Sequence, residues 1–119
     1  MKYTLMIYDE EKNWGAMSES EQHRMIADYR ELTQRLKDDG KYLAAQQLHP
    51  ISSATSVRVR GGKRIVTDGP FAETREQLGG FYLIEASNLD EAIEVAERIP
   101  SARQGTIEVR PVVEMTAAT

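Results

Sequence analysis

Along the chain the spacing of apolar residues switches from two to three or four and back, and each switch marks an element. Residues 2–8, KYTLMIY, place Tyr3, Leu5 and Ile7 on one alternating face and Met6 and Tyr8 on the other. A strand apolar on both faces belongs at the centre of a sheet. The next stretch, DEEKNWGAM, reads as a polar loop. Ser18 then stands three residues before Glu21, the spacing of a capping box at a helix start. Met25, Tyr29, Leu32 and Leu36, with Ile26 beside them, form one apolar stripe on a helix that stops at Gly40. At 1.5 Å per residue this helix is roughly 30 Å long, enough to cross a small sheet. Residues 42–48, YLAAQQL, predict a weaker strand closed by His49-Pro50.

TSVRVR and RIVTDG, on either side of the Gly61-Gly62 pair, predict a hairpin. Facing residues of an antiparallel pair share a sheet face. A two-residue turn would oppose Val59 to Arg64 and Arg58 to Ile65. A three-residue loop over residues 61–63 instead opposes Val59 to Ile65 and Val57 to Thr67 and segregates Arg60 with Arg64, so that register is expected. Residues 81–86, FYLIEA, are the second strand apolar on both faces. Asn88 caps a helix with Glu91 three positions on; Leu89, Ala92, Ile93, Ala96 and Ile99 are its expected buried stripe, and Pro100 stops it. Residues 106–113, TIEVRPVV, alternate as a half-exposed strand whose Pro111 suits an edge.

This order predicts an α+β fold, a ferredoxin-like split βαβ sandwich with an inserted β-hairpin. The first strand and FYLIEA lie centrally, and both helices cover one face. The other face is left bare, with Met6, Tyr8 and Tyr82 expected on it. A second copy would cover that face, so a homodimer of the dimeric α+β barrel type is expected. Residues 1–114 make a single domain, and residues 115–119 a loose tail.

Composition narrows the function classes. The chain has 119 residues, 40% of them hydrophobic and 29% charged. No apolar run approaches the roughly 20 residues that span a bilayer, and the start lacks the features of a signal peptide, so no membrane partner and a cytoplasmic location are expected. With no cysteine there are no disulfides and no thiolate metal sites. The net charge of −4 argues against nucleic acid as a partner. One local exception is the basic cluster Arg58, Arg60, Lys63 and Arg64 at the hairpin turn. It reads as a solvated tip or as an anion-binding lip.

Candidate chemistry is sparse. His23 sits among charged residues off the helix stripe and reads as a surface residue. His49, at a strand end before a proline that holds it extended, is the better general base. No metal-ligand spacing or glycine-rich phosphate loop is present, so neither a metal nor a cofactor is expected. Asp68, in TDGPF, is the strongest candidate acid. Its structural alternative is definite: Asp-Gly is a turn signal, the carboxylate can accept backbone N–H groups, Gly69 can take a positive φ, Pro70 fixes the exit, and Phe71 can plug back onto the core. Glu73, Arg75 and Glu76 look like a short helical turn with a solvated face. Gly79-Gly80 permits a close backbone approach that a ligand could use.

Several segments together resemble a known family: MKYTLMIYDEEKNW at the start, ATSVRVRGGKRIVTDGPFAETREQLGGFYLIEASNLDEAIEVAERIP through the middle and GTIEVRPVVE near the end. The chain resembles the YCII-related proteins, in the branch called DGPF-domain proteins. The resemblance implies a ferredoxin-like fold and a dimer that joins two sheets. The wider superfamily includes a dehydrochlorinase of a chlorinated hydroxyhydroquinone and looks like the muconolactone-isomerase group, which by analogy points to small cyclic organic or anionic ligands and to lyase or isomerase chemistry. Some relatives carry a first-helix histidine paired with an aspartate; Tyr29 stands at that histidine here, so the dyad does not carry over. Asp68 and His49 are therefore the candidate acid/base pair, and Tyr8, Tyr29, Tyr82, Gly69, Pro70 and Phe71 the candidate ligand contacts. Genes of the branch often neighbour those of extracytoplasmic-function sigma factors. The competing reading is accordingly a non-enzymatic regulatory module with a protein partner.

Overall fold

Two strands apolar on both faces need neighbours on both edges, and the chain provides them. The structure, a computed structural model, describes residues 1–115. It runs β1 (Lys2–Asp9), a short helix α1 (Lys12–Ala16), the long helix α2 (Glu19–Asp38), β2 (Tyr42–Gln47), a 3₁₀ turn (Ile51–Ser53), the hairpin β3 (Thr55–Arg60) and β4 (Lys63–Asp68), β5 (Gln77–Glu85), α3 (Leu89–Arg98), a second 3₁₀ turn (Pro100–Arg103) and β6 (Thr106–Pro111). The antiparallel sheet has the order β2-β5-β1-β6, with the two apolar strands central as expected and Pro111 on an edge strand. This α+β architecture is consistent with a ferredoxin-like fold. Apart from Met115, the expected loose tail lies outside the described residues.

Both helices start as their caps dictate. Ser18 Oγ accepts the Glu21 N–H while Glu21 Oε1 accepts the Ser18 N–H, and Asn88 Oδ1 accepts the Glu91 N–H. Gly40, at φ 71°, ends α2. Leu32 and Leu36 of α2, and Ala92, Val95 and Ala96 of α3 with Ile99 at its C-cap, bury themselves against Tyr3, Leu5, Tyr82 and Ile84, so both helices cover the same sheet face.

Five local expectations are corrected. Tyr82 does not lie on the open face: register pairs it with Leu5, on the helix side, where it is buried. The α3 stripe is rotated, because Val95 is fully buried while Leu89 and Ile93 are exposed. The hairpin closes with a two-residue turn, opposing Arg60 to Lys63, Val59 to Arg64 and Val57 to Val66. Gly61 and Gly62 both have positive φ, 56° and 75°, the type I′ combination that matches strand twist, and turn geometry outweighed tidy segregation of side chains. Residues 73–76 form an irregular stretch with a bend at Arg75 and Glu76, not a helical turn, and the expected polar loop after β1 contains α1.

The two glycines before FYLIEA serve the sheet. β5 begins at Gln77, and the register skips Gly79 as a bulge between Ile7↔Gly80 and Tyr8↔Leu78. A Cβ on Gly80 would come within 2.7 Å of the Gln46 carbonyl oxygen on β2. The close approach foreseen there is thus made by a neighbouring strand.

The hairpin pairs with no other strand among the described residues. The radius of gyration, 16.7 Å, exceeds the roughly 13.5 Å that size scaling gives for a compact chain of this length.

Candidate functional site

Charged and amide side chains converge where β1 ends. Asp9 Oδ1 accepts the Glu10 N–H at 2.8 Å and the Asn13 side-chain amide at 2.7 Å, and Asp9 Oδ2 accepts the Gln104 amide at 2.7 Å. This carboxylate ties the β1 end to α1 and to the loop before β6. Gln77 accepts the Glu11 N–H at 3.0 Å and donates to the Thr74 carbonyl at 2.6 Å. Glu11 Oε2 accepts the Ile51 N–H at 2.9 Å and so holds the 3₁₀ turn that follows His49-Pro50.

Between these three segments lies an open groove of about 350 Å³, lined by Glu10, Glu11, Lys12, Ile51, Arg75 and Gln77. Arg75 Nε donates to Glu10 Oε1 at 2.9 Å, and Lys12 Nζ lies 3.5 Å from Glu10 Oε2. The Arg75 hydrogen bond holds the Glu10 carboxyl below its usual range. Both groove carboxylates are therefore engaged by the protein. The cations are not used up: the Arg75 side chain is 91% exposed and that of Lys12 82%, and the terminal guanidinium nitrogens of Arg75 make no hydrogen bond among the described residues. Unfilled donor capacity in this groove is cationic.

The expected site residues separate. Asp68 ends β4 opposite Thr55, and the turn after it is closed by the Gly69 N–H on the Ala54 carbonyl at 2.7 Å and by Ser56 Oγ on the Gly69 carbonyl at 2.8 Å. Gly69 takes φ 102°, as a turn at Asp-Gly requires. The Asp68 carboxylate accepts none of these bonds. Pro70 is exposed, and Phe71, expected to plug onto the core, is 81% exposed. His49 is exposed between β2 and the 3₁₀ turn, two residues before Ile51 of the groove. Among the described residues no hydrogen bond or ion pair joins His49 to Asp68.

The tyrosines divide by sheet face. Tyr8 is half-buried on the open face, opposite Leu78 and Thr106. The Tyr29 hydroxyl bonds Ser101 Oγ at 2.6 Å, and the Tyr82 hydroxyl bonds Thr33 Oγ1 at 2.7 Å. Burial pushes both phenols up in pKa. Both hydroxyls therefore join helix to body within the protein. Arg75, Glu10, Lys12 and Gln77 carried no sequence signal of a site, because they meet only through sheet register. Among the described residues no group of three or more His, Asp or Glu side chains is placed to hold a metal ion, and no helix is long and apolar enough to cross a membrane.

The chain matches the YCII-related domain over residues 1–116. It is 39% identical over 113 residues to an uncharacterised protein of Rhizobium meliloti (strain 1021), an alignment covering 93% of this chain and 91% of that protein. A match across nearly the whole length, on top of the sheet order and the two helices on one face, places the chain in the YCII-related family.

Proposed function

We propose that this YCII-related protein, of the DGPF branch, binds a small organic anion in the groove between the β1 end, the His49-Pro50-Ile51 segment and the exit of the DGPF loop. The observation that carries the reading is the imbalance of the groove: its carboxylates are engaged and its cations, Lys12 and Arg75, retain donors. A guanidinium with exposed terminal nitrogens matches a carboxylate in a two-pronged geometry. Asp68 and His49 flank the groove in sequence, on the segments that lead into and out of the hairpin. They are the acid/base pair of this reading, for a lyase or isomerase reaction on the bound anion. The working unit is a cytoplasmic homodimer. Met6, Phe81 and Leu83 on the open sheet face support that, because apolar side chains there have no helix to cover them.

Thermal denaturation against a panel of carboxylates, benzoate and succinate included, tests the reading. An anion at 100 times its Kd raises Tm by roughly 10 °C for a chain of this size. The rise is expected in the wild type and lost in Arg75→Ala, whose side chain supports nothing but an exposed ion pair. Equal rises in both proteins, or none with any anion, would overturn the binding site.

A further inference from the structure

We infer that the β3–β4 hairpin is a docking arm whose receptor is the outer face of α3 on a second copy of this chain. Eleven of its twelve strand residues are exposed. A two-stranded hairpin without a packing partner is marginal in water. Its register gathers Val57, Val59 and Val66 on one face, exposed by 60%, 62% and 53%. Arg64 lies on that face opposite Val59, and Arg58, Arg60 and Lys63 lie on the other face with Ile65; none of the four is in an ion pair among the described residues.

The complement of this surface is on the same molecule. The arm, residues 55–68, contains four basic residues and one acidic one, Asp68 at its base, so the rest of the chain holds eleven basic against eighteen acidic residues, a net charge of −7. Asp90, Glu94 and Glu97 recur on one stripe of α3, and none makes an ion pair among the described residues. Beside that stripe Leu89 and Ile93 are exposed, and a groove of about 240 Å³ runs between α3 and β6, lined by Ile93, Ala96, Glu97, Ala102, Ile107 and Val109. Apolar wall and acidic rim match the arm's valines and the Arg64 beside them, on an arm whose overall charge is positive. Two basic tips repel each other, so tip-to-tip pairing is disfavoured. A two-fold arrangement with each arm in the other copy's groove satisfies both surfaces at once. This contact does not use the open sheet face, and the inference does not rest on the homodimer proposed above.

Sedimentation equilibrium on the full chain with charge-swapped variants tests it. One variant reverses the arm (Arg58→Glu, Arg60→Glu, Lys63→Glu, Arg64→Glu), and the other reverses the receptor (Glu94→Lys, Glu97→Lys). Each alone is expected to lose one association step, weakened by about tenfold or more, because like charges now face each other. Mixing the two is expected to restore that step, since every arm then meets a receptor of opposite sign. Val57→Lys, which puts a charge into the apolar contact, is expected to weaken the same step, with circular dichroism checking that each variant is folded. The inference is overturned if the reversed variants assemble as tightly as wild type, or if mixing restores nothing. The outcomes also separate the two interfaces: reversed variants that remain dimers retain the sheet-face contact, and reversed variants that become monomers lack it.

Discussion

The hydrogen bond between Tyr29 and Ser101 joins the middle of α2 to the turn after α3, two segments 72 residues apart in sequence. Tyr29→Phe removes one oxygen and leaves the ring in place. Ser101, only 7% exposed, then loses its partner. Losing a hydrogen bond and stranding a buried hydroxyl costs about 1–3 kcal/mol. Unfolding entropy for a chain of this length converts that to roughly 4 °C per kcal/mol, so Tm should fall by about 4–12 °C. Ser101→Ala should cost a similar amount, since it strands the phenol instead. The double variant removes both polar atoms, and its loss should fall short of the sum of the single losses by about 1 kcal/mol. Calorimetric or urea unfolding of the four proteins measures the cycle. Single losses that add to within about 0.3 kcal/mol would refute a direct, buried bond. They would also free the Tyr29 hydroxyl for the ligand role that its sequence position suggested.

Two further outcomes follow from packing and titration. Gly80→Ala drives a Cβ into the Gln46 carbonyl and Gly105→Ala drives one into the Tyr8 carbonyl, so each should lower urea stability by about 2 kcal/mol or more, whereas Gly79→Ala, with only the Ile7 carbonyl at 4.0 Å, should be nearly neutral. Burial raises the pKa of Tyr29 and Tyr82 above the ordinary tyrosine value of 10.0. The unfolded chain therefore releases these protons first, and the associated stability is complete below pH 10 and is lost as pH rises through the folded values. Urea midpoints between pH 9 and 11.5 should fall less steeply in Tyr29→Phe than in wild type.

The larger architecture was legible because it depends on short-range patterns. KYTLMIY and FYLIEA announced central strands, Ser18 and Asn88 marked helix starts at the residues that cap them, and Gly40 and Pro100 stand one residue past the C-caps Asp39 and Ile99. What failed depends on register. Tyr82 and the side chains of α3 were assigned to the wrong face because a strand's face and a helix's rotation are fixed by neighbours distant in sequence. At the hairpin, two glycines of positive φ dictated the turn whatever the side chains preferred. The candidate site was less legible still. Asp68 and Phe71 stood out as a motif, yet the turn is closed by backbone groups and Ser56, so the motif's polar and aromatic side chains are left outward. Glu10, Lys12 and Arg75 read as ordinary surface charges until β1 and the segment before β5 are set side by side.

The most direct test of ligand binding is a ¹⁵N-resolved NMR titration of the full chain with the carboxylate that gives the largest thermal shift. Anion binding at the proposed groove predicts saturable movement of the Lys12, Ile51 and Gln77 amides and the Arg75 Nε resonance, with the amides of α3 unmoved. Saturable changes confined to α3 and β6, or to the open sheet face, would contradict it.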